Sequence, residues 1–489
     1  MVALERAVAQ VSEQELGVAR AALGQRLGEV ARVLELSRDG DPGALLERLV
    51  GRIAESLDTA EAWLLLTAVS TVFPSEDEVR ALVRSAELDS VTTCTLRLLA
   101  DVLPAAQAGR LDRELLIVTG GVVVDVDFSA RNDHTSGIQR VVRNTVPEWT
   151  GRHALTLVAW GEDGRSWREV TASESERVGG PIGQPEAESE LRLVVPWRST
   201  VILVEVPTVA ERCLPLATLA RFSGNRTTAI GYDLIPIASA ETVPLGMADH
   251  FGKYLALVKN LDRIAGISAT ATTEFASFAG MLAAQGVTGP RVSECSLPSS
   301  TPASLGPAPT GRPLVLCVGG REPRKNHAAV LASAEHLWRD GLDFELRFIG
   351  SEGWDTRDFR AWIARLERAG RPVSVPAFSG DEFLWQSYRD ARFCIFPSLH
   401  EGYGLPVAEA LSVGTPAITS FFGSTAEIGE GGGCLLVDPR SDSAITEAMR
   451  SLLVDDTEYT RLRAKITGRP SREWSDYADD LWSQLVEPA

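Results

Sequence analysis

Apolar residues change their spacing along the chain, and the changes divide it. From residue 1 to 112, leucine and alanine recur at helical spacing between short polar breaks, among them Gly40-Asp-Pro-Gly43 and Phe73-Pro-Ser75. Asp58-x-x-Glu61 and Ser75-x-x-Glu78 precede apolar runs as capping-box starts. Four or five helices with almost no strand are predicted for this extension. From 113 the pattern shortens to β-branched runs at 115–118, 121–126, 193–196, 201–206 and 263–267. A further strand is predicted across Thr228–Ile237, with Tyr232 and Asp233 at its polar end. Helical spacing intervenes from Gly137 to an end near Pro147 and from Ala248 to Asn260, and Ser268 reads as the structural cap of the next helix. A first sheet domain over 113–305 follows.

Leu297 to Gly311 is rich in proline, serine and glycine, which cannot hold a long helix or a central strand, so it reads as an exposed hinge. A second sheet domain, 306–470, opens with the strand 314–318. Strands at 344–349, 373–377 and 393–396 then alternate with helices at 326–339, 356–369 and 382–389. Such alternation predicts a parallel sheet with right-handed crossovers, whose ligand sits outside the carboxyl ends of the strands. The loops at 319–325, 350–354 and 397–405 emerge there. Residues 471–489 carry an amphipathic last helix.

Composition narrows the function. A chain of 489 residues exceeds one core, in keeping with several domains. A formal charge of −18 argues against a nucleic-acid partner and against more than peripheral contact with anionic lipid. Six cysteines lie far apart without C-x2-C spacing, as reduced thiols do, and read as neither zinc ligands nor a disulfide frame. The start, Met1-Val-Ala-Leu-Glu-Arg, lacks a signal peptide's apolar core, and no apolar run reaches the roughly 18 to 20 residues of a membrane span. A cytoplasmic protein is expected.

The chemistry concentrates in Pro397-Ser-Leu-His-Glu-Gly-Tyr-Gly-Leu-Pro-Val-Ala-Glu-Ala410. Here the strand Phe393–Phe396 ends, and a helix starts with Pro406 in its first position. Gly402 and Gly404 keep the loop open beside first-turn amides that lack intrahelical acceptors, a setting for an anion such as a diphosphate. Glu401 and Glu409 frame the loop. A carboxylate beside a phosphate site is repelled unless it accepts hydrogen bonds from neutral hydroxyls, which points to polyols on both sides of a diphosphate. Taken alone, the two acids read equally as a solvated loop residue and a first-turn acid favoured by the helix dipole. Upstream, Arg321, Arg324 and Lys325 follow two glycines at a strand's end and supply charge for a diphosphate as its sugar bond breaks. Gly137, after the polar stretch Ser129–Ser136, opens a second helix whose amides suit an anion.

The segment around Glu401 resembles the E-x7-E signature of the retaining glycosyltransferases of family 4. The similarity continues in Val318-Gly-Gly-Arg-Glu-Pro-Arg-Lys-Asn326, Arg347-Phe-Ile-Gly350, Phe378-Ser-Gly380, Ser424-Thr-Ala-Glu-Ile428 and Val437-Asp-Pro439. Gly137-Ile-Gln-Arg140 resembles a motif of a bacterial subset, with Ser136 where threonine is common. The resemblance implies an α/β chain of the GT-B fold, two Rossmann-like parallel-sheet domains facing a cleft, here with an N-terminal all-helical extension. It implies that the last helix, 471–489, returns to the first sheet domain.

It also implies transfer of a hexose or deoxyhexose, mannose or rhamnose by preference, from a nucleoside-diphosphate sugar to a carbohydrate or glycoconjugate acceptor in surface polysaccharide synthesis. Configuration is retained, with no metal and no cofactor. In that reading Glu401 holds the sugar hydroxyls, Glu409 the ribose, and the loop Gly402-Tyr403-Gly404-Leu405 the phosphates. Lys325 and one of Arg321 or Arg324 neutralise the diphosphate, Gly137 lies near it, and Arg140 faces the cleft. Tyr232 stands where relatives have a sugar-contacting histidine, which leaves Asp233 either as an acceptor or sugar contact or as a turn residue before Pro236. Glu427 is either part of the site's floor or a surface acid. The extension is a helical appendage packed on the catalytic core, a self-association surface or a docking site. The rival readings are an inactive scaffold working through that extension and a GT-B sugar epimerase.

Overall fold

In the computed structural model, residues 13–487 are described except 107–112, 134–135, 163, 184, 186, 188–189, 208, 300–305, 308, 355 and 377–379. The expected first domain boundary, part of the hinge and Phe378-Ser379 lie outside the described residues. Among the described residues five helices come first: Glu13–Val33, Pro42–Ser56, Thr59–Ser70, Glu76–Leu88 and Val91–Ala106. Ser75 and Glu78 form the expected capping box. Asp58 caps its helix through the Ala60 amide, but Glu61 turns instead to Arg52 and Ser56.

The first sheet has nine strands: β1 Leu115–Thr119, β2 Val122–Asp125, β3 Thr156–Trp160, β4 Trp167–Glu169, β5 Leu193–Trp197, β6 Thr200–Leu203, β7 Arg226–Gly231, β8 Arg263–Gly266 and β9 Arg291–Glu294. Their order is β1-β5-β4-β3-β2-β6-β7-β8-β9. All neighbours are parallel except at β4, which runs antiparallel to β3 and β5. The second sheet is parallel throughout, in the order β12-β11-β10-β13-β14-β15. Its strands are β10 Leu314–Val318, β11 Glu345–Ile349, β12 Val373–Ser374, β13 Phe393–Phe396, β14 Ala417–Ser420 and β15 Cys434–Val437.

Alternation along each strand sorts side chains between the layers. Val123 and Val201 join the core shared with the five helices, whereas Val124 and Ile202 face the layer of Gly137–Arg152 and the last helix. The extension is therefore one wall of the first domain's core. Phe73 shows this directly: its ring centroid lies 5.5 Å from Trp63 within the extension and 5.2 Å from Trp167 of β4. Buried Arg26 ties the same seam, donating through Nε to the Ala68 carbonyl (2.7 Å) and through Nη1 to that of Arg113 (3.0 Å).

Two expected boundaries move. The helix from Gly137 does not end near Pro147 but runs to Arg152 with the proline inside. Buried Val146 and Trp149 on the far side hold the continuation, and Trp149 Nε1 donates to the Ala478 carbonyl of the last helix at 2.8 Å. The strand across Thr228–Ile237 stops at Gly231, because Asp233 accepts the Ile235 amide (3.1 Å) and starts a turn of helix, Ile235–Ala238. The last helix, Trp474–Leu485, returns to the first domain as expected. There Trp482 stacks on His153 at 3.8 Å, and Arg263 donates to the Gln484 carbonyl. Among the described residues no helix is long and apolar enough to cross a membrane.

Candidate active site

The site forms where the carboxyl ends of β10 and β13 meet those of β7 and β8. Glu401 lies in the loop after β13, and Arg324 and Lys325 in the turn after β10. Lys325 Nζ donates to Glu401 Oε1 at 2.5 Å, Arg324 Nη1 pairs with Oε2 at 2.7 Å, and Ser398 Oγ donates to Oε1. Burial pushes the Glu401 carboxyl up, but the two cations outweigh it and hold it at about 2. Burial lowers the Lys325 pKa against the opposing pull of Glu401, and Phe396 covers the ammonium at 4.7 Å. Gly319 lies beside the Lys325 stem at φ +146°, a backbone conformation that an L side chain rarely adopts.

The structure places Arg321 and Arg324 differently. Arg324 joins Glu401 and also pairs with Glu322 at 2.8 Å, whereas Arg321 lies over the Phe359 ring at 5.5 Å. The helix after the loop begins at Leu405, one residue before Pro406, with Gly404 as its cap at φ +115°. Here an added Cβ would fall 2.7 Å from Thr425 Cγ2, so only glycine fits without strain. A Cβ on Gly137 would touch Leu405 Cδ1 at 3.5 Å, so the amino ends of two helices, one from each domain, lie close together. Both are positive ends of helix dipoles.

Glu409 is buried in this helix, outside its first turn, so it is neither the dipole-favoured acid nor a surface one. Tyr388 donates its hydroxyl to Glu409 Oε2 at 2.8 Å, and Arg140 from the first domain is ion-paired with Oε1. No sequence signal marked Tyr388 as the acid's partner.

Three residues of the expected site make contacts within the protein. Tyr232 is buried and donates its hydroxyl to the Val204 carbonyl at 2.7 Å, so its ring belongs to the core. Tyr403 points away from the helix terminus and donates to the Leu297 and Pro298 carbonyls at the start of the hinge. Gly402 lies against the first domain, where a Cβ would fall 2.5 Å from the Tyr232 carbonyl oxygen and 3.1 Å from Asp233 Oδ2. Asp233 fills the turn reading. It caps the turn and borders the cleft, and burial raises its pKa, with Arg324 opposing.

Further contacts join the domains. Ser268 caps its helix through the Ala271 amide and donates to the Gly402 carbonyl at 2.7 Å. Glu427 is not a free surface acid: it accepts the Ala269 and Thr270 amides at 3.0 and 2.7 Å, capping a first-domain helix from the second domain. His400 connects Ser239 and Glu274 of the first domain. Its place beside Glu401 was the one signal in the sequence that could have drawn attention to it.

Residues 306–469 match the family model of glycosyl transferases group 1, which is about a third of the chain. The serotype-specific mannosyltransferase WbdA of Escherichia coli is 25% identical over 361 residues, covering 68% of this chain and 42% of that protein. The O-antigen chain mannosyltransferase B of Escherichia coli is 33% identical over 144 residues, 29% of this chain and 37% of that protein. The chain thus spans less than half the length of these curated relatives. Among solved structures, sucrose-phosphate synthase from Thermosynechococcus elongatus superposes with a TM-score of 0.52 at 14% identity, over 75% of this chain and 99% of that one. The N-terminal domain of Candida albicans trehalose-6-phosphate phosphatase gives 0.53 at 11% identity, over 76% and 97%. The chain accordingly has the GT-B fold, two parallel-sheet domains preceded by helices, and carries a glycosyl transferases group 1 domain at residues 306–469.

Proposed function

We propose that this protein is a retaining glycosyltransferase that moves a hexose, mannose by preference, from a nucleoside-diphosphate sugar to a carbohydrate acceptor hydroxyl in surface polysaccharide synthesis. The observation that carries the reading is the group Glu401–Lys325–Arg324, set beside two helix amino ends that lie close together. A diphosphate in that gap meets the Gly404 and Leu405 amides and two fixed cations. Charge developing on the leaving group is thereby stabilised without reorganisation. Glu401 accepts hydroxyls of the transferred sugar and Glu409 those of the ribose. The leaving phosphate takes the acceptor's proton on the face it departs from, which retains configuration and needs no separate base. Two cations and two helix ends supply the positive charge, so the reading calls for no metal. The preference for mannose rests on the names of the Escherichia coli relatives. An activated donor and cysteines that are all unpaired suit a cytoplasmic enzyme.

The test is release of nucleoside diphosphate from GDP-mannose, with UDP- and dTDP-hexoses alongside, and NMR of the product's anomeric centre. Turnover that disappears in Glu401→Ala, with an unchanged anomeric configuration, supports the proposal. No turnover of any of these donors, with or without mannan oligosaccharides, counts against it, as does an inverted product.

A further inference from the structure

Glu409 has two carboxylate oxygens, and both are engaged from within the protein. Oε2 accepts the Tyr388 hydroxyl at 2.8 Å. Oε1 makes no aligned hydrogen bond and is ion-paired with the Arg140 guanidinium, which crosses the cleft from the opposite domain. Tyr388 is fully buried on a neighbouring helix of the second domain and has nowhere to withdraw. Arg140 retains some exposure and stands on a flexible stem in the first turn of the helix that opens at Gly137. Its other acidic neighbour is Asp381, at 3.9 Å on the cleft's rim. A ribose hydroxyl that approaches Glu409 from the cleft therefore meets the Arg140 guanidinium at Oε1, and of the two partners Arg140 is the one that retains exposure.

Its destination is set by the same helix. The amino end at Gly137 lies close to Leu405, the point at which the proposed donor's diphosphate meets the second domain. A guanidinium one turn away reaches that gap and matches a phosphate as a two-pronged donor. We propose that Arg140 is an exchange residue: it neutralises buried Glu409 before the donor enters, then gives that carboxylate to the ribose and transfers its own charge to the diphosphate. This rests on the nucleotide-sugar reading above and adds regulation of donor capture to it. A nucleoside alone would have to displace Arg140 with nothing to receive it, whereas a nucleoside diphosphate brings its own receiver. The device thus selects for the phosphorylated ligand and discourages occupation by nucleosides.

The prediction has opposite signs for two ligands. Binding to the full-length chain is measured by calorimetry with GDP, UDP, ADP and dTDP, and with the nucleoside of whichever base binds. In Arg140→Gln, the diphosphate should bind at least about tenfold more weakly, and the nucleoside about threefold or more tightly, because its competitor is gone. Arg140→Lys, which keeps the charge without the fork, should move both affinities in the same directions by less, and it serves where the glutamine variant does not fold. If both ligands weaken in parallel while the wild type binds normally, Arg140 is a fixed support for Glu409 and the exchange is refuted, with the transferase reading intact. If the wild type binds none of the four diphosphates, that reading falls and the exchange with it.

Discussion

His400 Nε2 lies 2.6 Å from Glu274 Oε1, so the residue beside Glu401 ties the second domain to the first through an ion pair. Its other ring nitrogen is 2.7 Å from Ser239 Oγ, again in the first domain. The hydrogen bond to Glu274 raises the imidazole's pKa above its ordinary 6.5, with Glu274, Asp233 and Glu401 adding charge and burial opposing. Because the folded value is the higher one, the stabilisation is complete below 6.5 and is lost as pH rises through the folded-state pKa. The melting-temperature gap between wild type and His400→Gln is therefore expected to shrink from pH 6 to pH 9. A gap that stays constant or widens over that range would show that the ion pair contributes nothing to closure.

Glu401 gives the opposite dependence. Its folded pKa of about 2 lies below the ordinary 4.5, so its contribution is complete above 4.5 and disappears only as pH falls towards 2. Glu401→Gln leaves Lys325 buried without its counter-charge and Arg324 with Glu322 alone, and breaking such a buried pair from one side costs about 3–5 kcal/mol. Urea denaturation should show a loss of that order, equal at pH 5 and pH 8. Donor turnover should fall by at least about a hundredfold, on the scale of losing a charge-stabilising group. Full activity in a folded variant would remove Glu401 from the mechanism.

The extension is predicted to be inseparable from the first domain. Phe73 fills the space between Trp63, Trp160 and Trp167, with centroids 5.5, 6.2 and 5.2 Å away. Phe73→Ala should lower unfolding stability by about 3–5 kcal/mol, the usual cost of a large buried aromatic. A loss below about 1 kcal/mol would mean that the helices are held only loosely.

Much of this was legible because the signals were local. Strands β10, β11 and β13 follow from apolar runs bounded by turns, and the loop from Glu401 to Leu405 from its glycines and the helix start. What escaped depends on partners distant in the chain. β4 is a three-residue strand, Trp167-Arg-Glu169, held by strands on both sides, and it has no apolar pattern of its own. Pro147 marks a helix end by its chemistry, yet burial of Trp149 carries the helix past it. Tyr232 and Tyr403 lie in the expected segments but point the other way, because nearby backbone carbonyls offer their hydroxyls a partner. Glu427 looked like an isolated acid, since the amides it caps lie 157 and 158 residues earlier.

Gly402 and Gly404 look alike in the sequence, but the structure predicts different failures. Gly404 has a left-handed φ of +115°, and its Cβ would meet Thr425, both within the second domain. Gly404→Ala should therefore strain that domain and displace the first amides of the helix from Leu405, lowering stability and donor affinity together. Gly402 has no such φ, and the atoms its Cβ would meet, the Tyr232 carbonyl oxygen and the Asp233 side chain, belong to the first domain. The cheapest relief in Gly402→Ala is separation of the domains, at the expense of the Ser268 hydrogen bond to the Gly402 carbonyl. A wider radius of gyration by small-angle scattering is expected, together with a drop in kcat/KM of at least about tenfold and a weakening of nucleoside diphosphate binding no larger than that of Arg140→Gln. A misplacement of about 1 Å at a reacting centre can cost a hundredfold in rate, while the diphosphate loses only what the first domain supplies to it. If Gly402→Ala kept both its radius of gyration and its kcat/KM, contact between the Gly402 loop and the Tyr232–Asp233 turn would not be what sets the active geometry.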